Sequence, residues 1–211
     1  MVPSARFTDG QSRPIRNIYC VGRNYINHAH ELNNPVPEEP LLFMKSTASV
    51  ATGNRILLPE SATIHHELEL VCFIGREIPE PGQEIAAAIQ GYTLGLDLTD
   101  RPLQQKMKDA GKPWFRAKSF RNSTILGDFI PADEFNLDEP FFLRKNGQQV
   151  QSGAVGDMIF PIEVVLQSLA ERLPLGPGDI LFTGTPAGVG PLQSGDVLEI
   201  GPRPAYSITI L

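Results

Sequence analysis

Apolar and polar positions alternate most sharply in His65-His66-Glu67-Leu68-Glu69-Leu70-Val71-Cys72-Phe73-Ile74-Gly75, where Leu68, Leu70 and Cys72 interleave with Glu67, Glu69 and Val71. A period of two is that of a β-strand, so Glu67 and Glu69 point to the same face. Further apolar runs predict strands at Asn17–Gly22, Leu41–Ser46 and Gly91–Thr99, and a short edge strand at Arg55–Pro59 behind the Gly53-Asn54 turn. Phe141–Gln151 reads as a hairpin about the two-residue turn Asn146-Gly147.

Helical spacing is rarer. Ile162, Val165, Leu166, Leu169 and Leu173 recur behind Pro161 and predict an amphipathic helix over 161–173. Residues 99–111 read as a helix with Thr99 or Asp100 near its N-cap, Pro102 at an N1-type position and Gly111 just past its end. A turn or two of helix is expected over Ile26–Leu32, stopped by the Pro-rich stretch 33–40, and another short helix over Glu84–Gln90 after the break Pro79-Glu80-Pro81-Gly82. Residues 175–184 and 192–201 repeat a turn-then-strand plan, too short for a solenoid. The whole reads as a β-rich α+β chain: a lead-in over residues 1–16, with Asp9-Gly10 as a possible turn, and one domain over 17–211.

Composition narrows the function. With 211 residues, 41% of them hydrophobic, the chain can bury a substantial core. Its 18 basic and 24 acidic residues give a net charge of −6 with no basic stripe, which argues against a nucleic-acid partner. No run approaches the length of a membrane span, and Met1–Arg6 lacks a signal-peptide core, so a soluble cytoplasmic protein is expected. Cys20 and Cys72, each in an apolar run, are expected to be buried reduced thiols.

The chemistry starts from the carboxylates. Two like charges on one face of an apolar strand need a cation between them, and a divalent metal supplies it. Asp97, at the end of another apolar run, completes an all-oxygen set with Glu67 and Glu69. An E-x-E pair alone is ordinarily the polar face of a half-exposed strand; the third carboxylate and the run Val71–Ile74 turn the reading to metal. On a helix His28 and Glu31 are i,i+3 neighbours, the pairing a general base for water needs, with His30 as a competitor. Arg101 and Gln104 share the first turn of their helix beside Asp97. Lys118, among Ala117, Ser119 and Phe120, is either a partly desolvated ammonium for an oxyanion or a solvated loop lysine. Lys45 ends its strand, where it either serves an anionic ligand or, as is more usual for a lysine in that place, is solvated. The glycines in Thr183–Gly190 let backbone approach a ligand, and Thr185 has a hydroxyl to offer a carboxylate.

Taken together, Val21-Gly22-Arg23-Asn24-Tyr25 with His28 and Glu31, His66-Glu67-Leu68-Glu69, Leu96-Asp97-Leu98-Thr99 with Arg101 and Gln104, Ala117-Lys118-Ser119-Phe120, and Thr183-Gly184-Thr185-Pro186 through Gly190 resemble the fumarylacetoacetate hydrolase family in its short single-domain form. The resemblance implies a mixed β-roll/β-sandwich of the family's C-terminal-domain type with a few short helices, a homodimer, and Mg²⁺ or Mn²⁺ held by Glu67, Glu69 and Asp97. It implies His28 and Glu31 as a water-activating dyad, Lys118 and Gln104 as contacts to substrate oxygens, and Arg23, Arg101 and Thr185 as further substrate-binding residues. Lys45 is followed by Ser46 where relatives tend to have proline, and larger members draw a further carboxylate ligand from a region without a counterpart here.

The activity implied is metal-dependent cleavage of the C–C bond of an acylpyruvate such as acetylpyruvate or fumarylpyruvate, giving pyruvate and a carboxylic acid. Decarboxylation of oxaloacetate and isomerisation of a hydroxymuconate-type diacid draw on the same enolate chemistry and stand as alternatives. A non-catalytic domain binding Ca²⁺ or a small acid is the reading from another class, and it leaves His28, Glu31 and Lys118 without a task.

Overall fold

A computed structural model describes residues 2–32, 35–60, 62–78, 82 and 85–211. Its centre is a mixed sheet whose strands run, side by side, Thr124–Leu126, Ile89–Asp97, Leu68–Ile74, Asp179–Phe182, Asn17–Gly22 and Leu41–Lys45. Asp179–Phe182 pairs in parallel with Asn17–Gly22, and the other pairs along this path are antiparallel. A second sheet is ordered Gln148–Gly153, Phe141–Lys145, Val197–Gly201, Tyr206–Ile210 and Arg55–Ile56, the last being the predicted edge strand. The hairpin turns at Asn146 and Gly147, whose φ values of 54° and 80° are those of a type I′ turn.

The strand read through His65–Gly75 is two strands. Ile64–His66 belongs to a small third sheet, between Gly190–Pro191 and Thr99–Asp100, and the chain passes into the central sheet at Glu67. Its neighbour breaks at the same level, from Ile89–Asp97 to Thr99–Asp100, and the Asp97 N–H donates to the Glu67 carbonyl at 2.9 Å. Two adjacent strands therefore bend together where the carboxylates lie.

Alternation then divides the two faces of the sheet. Leu68, Leu70, Cys72 and Ile74 enter a large core shared with the second sheet and with Ile162, Val165, Leu166 and Leu169 of the helix Ile162–Ala170. That helix stops short of the predicted 173, and Leu173 is exposed. On the opposite face, beyond Glu67 and Glu69, Val71 and Phe73 pack with Cys20, Phe129 and Phe182. The first residues are more than a lead-in in form: Ser4–Arg6 pairs with Ser12–Pro14, the chain turns at Asp9-Gly10, and Phe7 stacks on Phe129 with its edge against Phe73.

The predicted helix over 99–111 runs from Arg101 to Asp109. Asp100 is its N-cap, accepting from the Leu103 N–H at 3.1 Å, and Gly111 follows its end at φ 61°. Ile26–Glu31 is the short helix predicted there. Over 84–90 the described part is only a 3-10 turn, Ala86–Ala88, after which Ile89 and Gln90 already pair in the sheet. The expected breaks at Asn33-Asn34 and Pro79–Pro81, and the position of Glu84, lie outside the described residues. The turn-then-strand echo has a shared cause: Asp179 accepts from the Gly176 N–H and Asp196 from the Gln193 N–H, each at 2.9 Å. Both cysteines are buried free thiols.

Candidate active site

At the level where the two strands bend, Glu67, Glu69 and Asp97 project from one face of the sheet. One oxygen from each lies within 4.8 Å of the others, and all three residues are buried. Such a cluster of anions in an apolar sheet persists only with compensating positive charge. Two lysines supply part of it. Lys118 Nζ is 2.7 Å from Glu67 Oε2 and 2.7 Å from Asp97 Oδ2, and Lys45 Nζ is 2.6 Å from Asp97 Oδ1. Arg101 pairs with the other oxygen of Glu67.

The solvated reading of both lysines is thus overturned: Lys45 and Lys118 are each 3% exposed. Lys45 stands two residues after Phe43 on the edge strand Leu41–Lys45, and pleating turns both toward the site. Lys45 also reaches the carbonyl of Lys118, which ties the two lysines together. Burial acts to lower the Lys118 ammonium, but Asp97 and Glu67 outweigh it and raise it, so this side chain stays charged. Burial acts to raise Glu67, and Lys118 and Arg101 overcome it to hold the carboxyl well below its usual range.

Glu69 is the exception. Burial, then Asp97 and Glu67, push its carboxyl well above the ordinary value. Among the described residues it accepts one hydrogen bond, from Gly184 N–H at 2.7 Å, and has no ion pair. Three hard oxygen donors with one carboxylate lacking a cationic partner fit a divalent cation such as Mg²⁺ or Mn²⁺.

His28 and Glu31 face this cluster from the helix Ile26–Glu31. His28 is buried and lines the cleft, whereas His30 is exposed. His28 Nδ1 lies 3.2 Å from Glu31 Oε2, an arrangement that leaves Nε2 free when Nδ1 carries the proton. Burial lowers the His28 proton affinity despite the opposing pull of Glu67 and Glu31, so the imidazole is neutral at neutral pH.

The segment Thr183–Gly190 joins the parts. Gly184 N–H holds Glu69, and Gly188 N–H donates to Glu31 Oε1 at 3.0 Å. Both glycines have positive φ, 96° and 98°; a Cβ on Gly184 would meet Asn24 Cβ at 2.6 Å, and one on Gly188 would strike the Val150 carbonyl. Thr185 accepts from Gln151 Nε2 at 2.8 Å, and Gln151 Oε1 in turn accepts from Leu68 N–H at 3.0 Å and lies 2.8 Å from His66 Nδ1. Gln151, a residue the sequence pattern did not single out, so braces the strand break beside Glu67 from the second sheet.

These groups open into one cleft with an empty volume of about 440 Å³. Every predicted site residue lines it except Glu31 and Asp97, which act on it through His28 and through Lys118. Arg101 Nη1 donates to Gln104 Oε1 at 2.7 Å, as two residues on one helical face should. Trp114, Phe43 and Lys108 complete the walls. Phe115 and Arg116, which follow Trp114, are exposed.

The model of the fumarylacetoacetate (FAA) hydrolase C-terminal family matches residues 17–203. The chain belongs to the fumarylacetoacetate hydrolase family. Among similar members of this family, the oxaloacetate tautomerase YcgM of Escherichia coli (strain K12) is 44% identical over 193 residues, covering 89% of this chain and 88% of the relative. The human mitochondrial oxaloacetate tautomerase FAHD1 is 40% identical over 217 residues, covering 94% and 95%. The crystal structure of fumarylpyruvate hydrolase from Pseudomonas aeruginosa in complex with Mn²⁺ and pyruvate superposes with a TM-score of 0.92 at 30% identity, covering all of this chain and 96% of that one. The β-rich fold expected from the family resemblance is thus the fold observed. Among the described residues no helix is long and apolar enough to cross a membrane.

Proposed function

We propose that this protein is a divalent-metal-dependent enzyme of 2-oxo acids whose reaction is the keto–enol tautomerisation of oxaloacetate. The observation that carries the reading is the neutral, buried His28, held by Glu31 at 3.2 Å and sharing one cleft with Glu67, Glu69 and the locked ammonium of Lys118. The similarity to two oxaloacetate tautomerases over nearly their whole length supports this choice of reaction.

Glu67, Glu69 and Asp97 would hold a divalent ion, which would supply Lewis-acid stabilisation of negative charge developing on a bound 2-oxo acid. His28 Nε2 takes a proton from the carbon beside the 2-oxo group, while Glu31 stabilises the imidazolium through Nδ1–H. Lys118 Nζ faces the developing oxyanion as a hydrogen-bond donor, and burial of the site strengthens that bond. Return of the proton from His28 to oxygen gives the enol, and the reverse sequence gives the ketone. Gln104, Arg101 and Thr185 orient the acid.

A second reading is favoured by the same dyad. A base that accepts a proton from carbon also accepts one from water, and attack of that water on a distal carbonyl is acylpyruvate hydrolysis. The fumarylpyruvate hydrolase neighbour supports keeping it. A homodimer, readable by light scattering, and a cytoplasmic location belong to the same proposal.

Enol loss from oxaloacetate, followed by ultraviolet absorbance on chelator-stripped protein with and without Mg²⁺ or Mn²⁺, tests the first reading. Metal-restored acceleration without pyruvate release supports tautomerisation. Pyruvate release from acetylpyruvate or fumarylpyruvate moves the assignment to hydrolysis, and no effect on any of the three acids sinks both. His28→Ala should lower the rate by roughly 10²–10⁴-fold.

A further inference from the structure

The strand Asn17–Gly22 is followed by Arg23, whose φ of 60° is a left-handed backbone uncommon for a side chain of its size. The next residue, Asn24, is fully buried and does not line the cleft. Its carboxamide is engaged at both ends. Nδ2 donates to the carbonyls of Thr183 at 2.9 Å and Phe160 at 3.0 Å, and Oδ1 accepts from Phe160 N–H at 2.8 Å. The Asn24 carbonyl accepts from Ile159 N–H at 2.8 Å. One residue thus ties the end of a central strand to two separate loops.

One of these bonds bears on the carboxylates. The Thr183 carbonyl and the Gly184 N–H belong to the same peptide unit, which is trans. In a planar trans peptide the two groups point in opposite directions, so a partner that fixes one fixes the other. Asn24 Nδ2 holds the carbonyl, and the N–H on the far side lies 2.7 Å from Glu69 Oε2. Rotation of this peptide would lose both bonds and turn a carbonyl oxygen toward a carboxylate, and Gly184 has no Cβ to resist it. The bond accepted by the carbonyl also polarises the N–H and strengthens its donation. Asn24 and Gly184 are in direct contact, since a Cβ on the glycine would lie 2.6 Å from Asn24 Cβ. Thr183 is itself pinned to the Glu69 strand, its N–H and hydroxyl donating to the Leu70 carbonyl at 3.1 Å and 2.9 Å.

We propose that Asn24 is a positioning residue for the metal centre: by holding the Thr183–Gly184 peptide it presets Glu69, with Oε2 taken by Gly184 and Oε1 left for a divalent cation. The inference rests on the metal reading under the proposed function and adds a residue to it. Lysine or arginine side chains hold the oxygens of Glu67 and Asp97, whereas Glu69 has no ion pair among the described residues. Its orientation depends on one backbone donor, and that donor depends on Asn24.

Mn²⁺ titrated into chelator-stripped protein, followed by loss of the free ion's electron paramagnetic resonance signal, reads the effect without any substrate. Asn24→Ala, and Gly184→Ala, which presses a methyl group into Asn24, should each weaken Mn²⁺ binding by roughly 10–100-fold, the usual effect of losing a group that orients a ligand. Leu169→Ala removes a buried side chain from the helix Ile162–Ala170 and should lower the melting temperature while binding Mn²⁺ as the parent does. Parental affinity in folded Asn24→Ala, or an equal loss in Leu169→Ala, would overturn the role of Asn24. The parent decides independently of whether the variants fold: its Gly184 amide should exchange slowly with deuterated solvent before metal is added, and rapid exchange would overturn the preset. Failure of the parent to bind Mn²⁺ would overturn the metal reading, and with it both the proposed function and this role.

Discussion

Lys45 Nζ lies 2.6 Å from Asp97 Oδ1, and neither side chain reaches solvent. Lys45 is an internal counter-charge for one of the three clustered carboxylates, so its removal leaves an anion in an apolar sheet with only Lys118 to balance it. Lys45→Met is expected to lower the unfolding free energy by about 3–5 kcal/mol, measured by urea denaturation in chelator. A loss below about 1 kcal/mol would mean that Lys118 alone suffices.

Glu69 behaves in the opposite way. Because burial and the two neighbouring carboxylates disfavour its charged form, Glu69→Gln should leave the metal-free protein as stable as the parent or more so. The same change should abolish the stabilisation that Mg²⁺ or Mn²⁺ confers on the parent, together with turnover. A thermal melt with and without metal separates the two effects, and a variant still stabilised by metal would remove Glu69 from the ligand set.

Burial lowers the proton affinities of His28, His65 and His66, that of His65 to about 4 from an ordinary 6.5. All three are neutral in the fold at neutral pH and cost nothing there. Below pH 6.5 the unfolded chain takes up protons that the folded one refuses, so all three histidines make stability fall as the pH drops below 6.5, His65 continuing to do so toward about 4. Urea midpoints at pH 7, 6 and 5 should decline in that order, and a triple His→Gln variant should flatten the decline.

Gln151 satisfies groups on three segments at once. Gln151→Leu keeps the bulk but leaves Leu68 N–H and His66 Nδ1 without a partner, at a cost of about 1–3 kcal/mol for each buried group. Because Thr185 also loses its donor, KM should rise more than kcat falls. A variant that changes stability while KM stays fixed would make Gln151 a structural residue only.

What the sequence discloses about this site follows periodicity. A period of two places Glu67 and Glu69 on one face, and i,i+3 spacing pairs His28 with Glu31 and Arg101 with Gln104. Lys45 escapes the general expectation for strand-end lysines, because nothing local says that Asp97 lies across the sheet. The same alternation that turns Phe43 inward was the available signal for it. The break at Glu67 is invisible for a related reason: both halves are extended chain, and only pairing with Thr99–Asp100 and Gly190–Pro191 separates them. Gln151 and Lys108 are ordinary polar residues in sequence, and long-range packing alone gives them their positions. The spacing of the carboxylates points to metal alone for charge compensation, whereas in the fold Lys45, Lys118 and Arg101 supply positive charge beside them.

Because Glu67 and Asp97 leave the sheet on two strands that bend together, and the Asp97 N–H is tied to the Glu67 carbonyl, a change that shifts either strand moves both carboxylates at once.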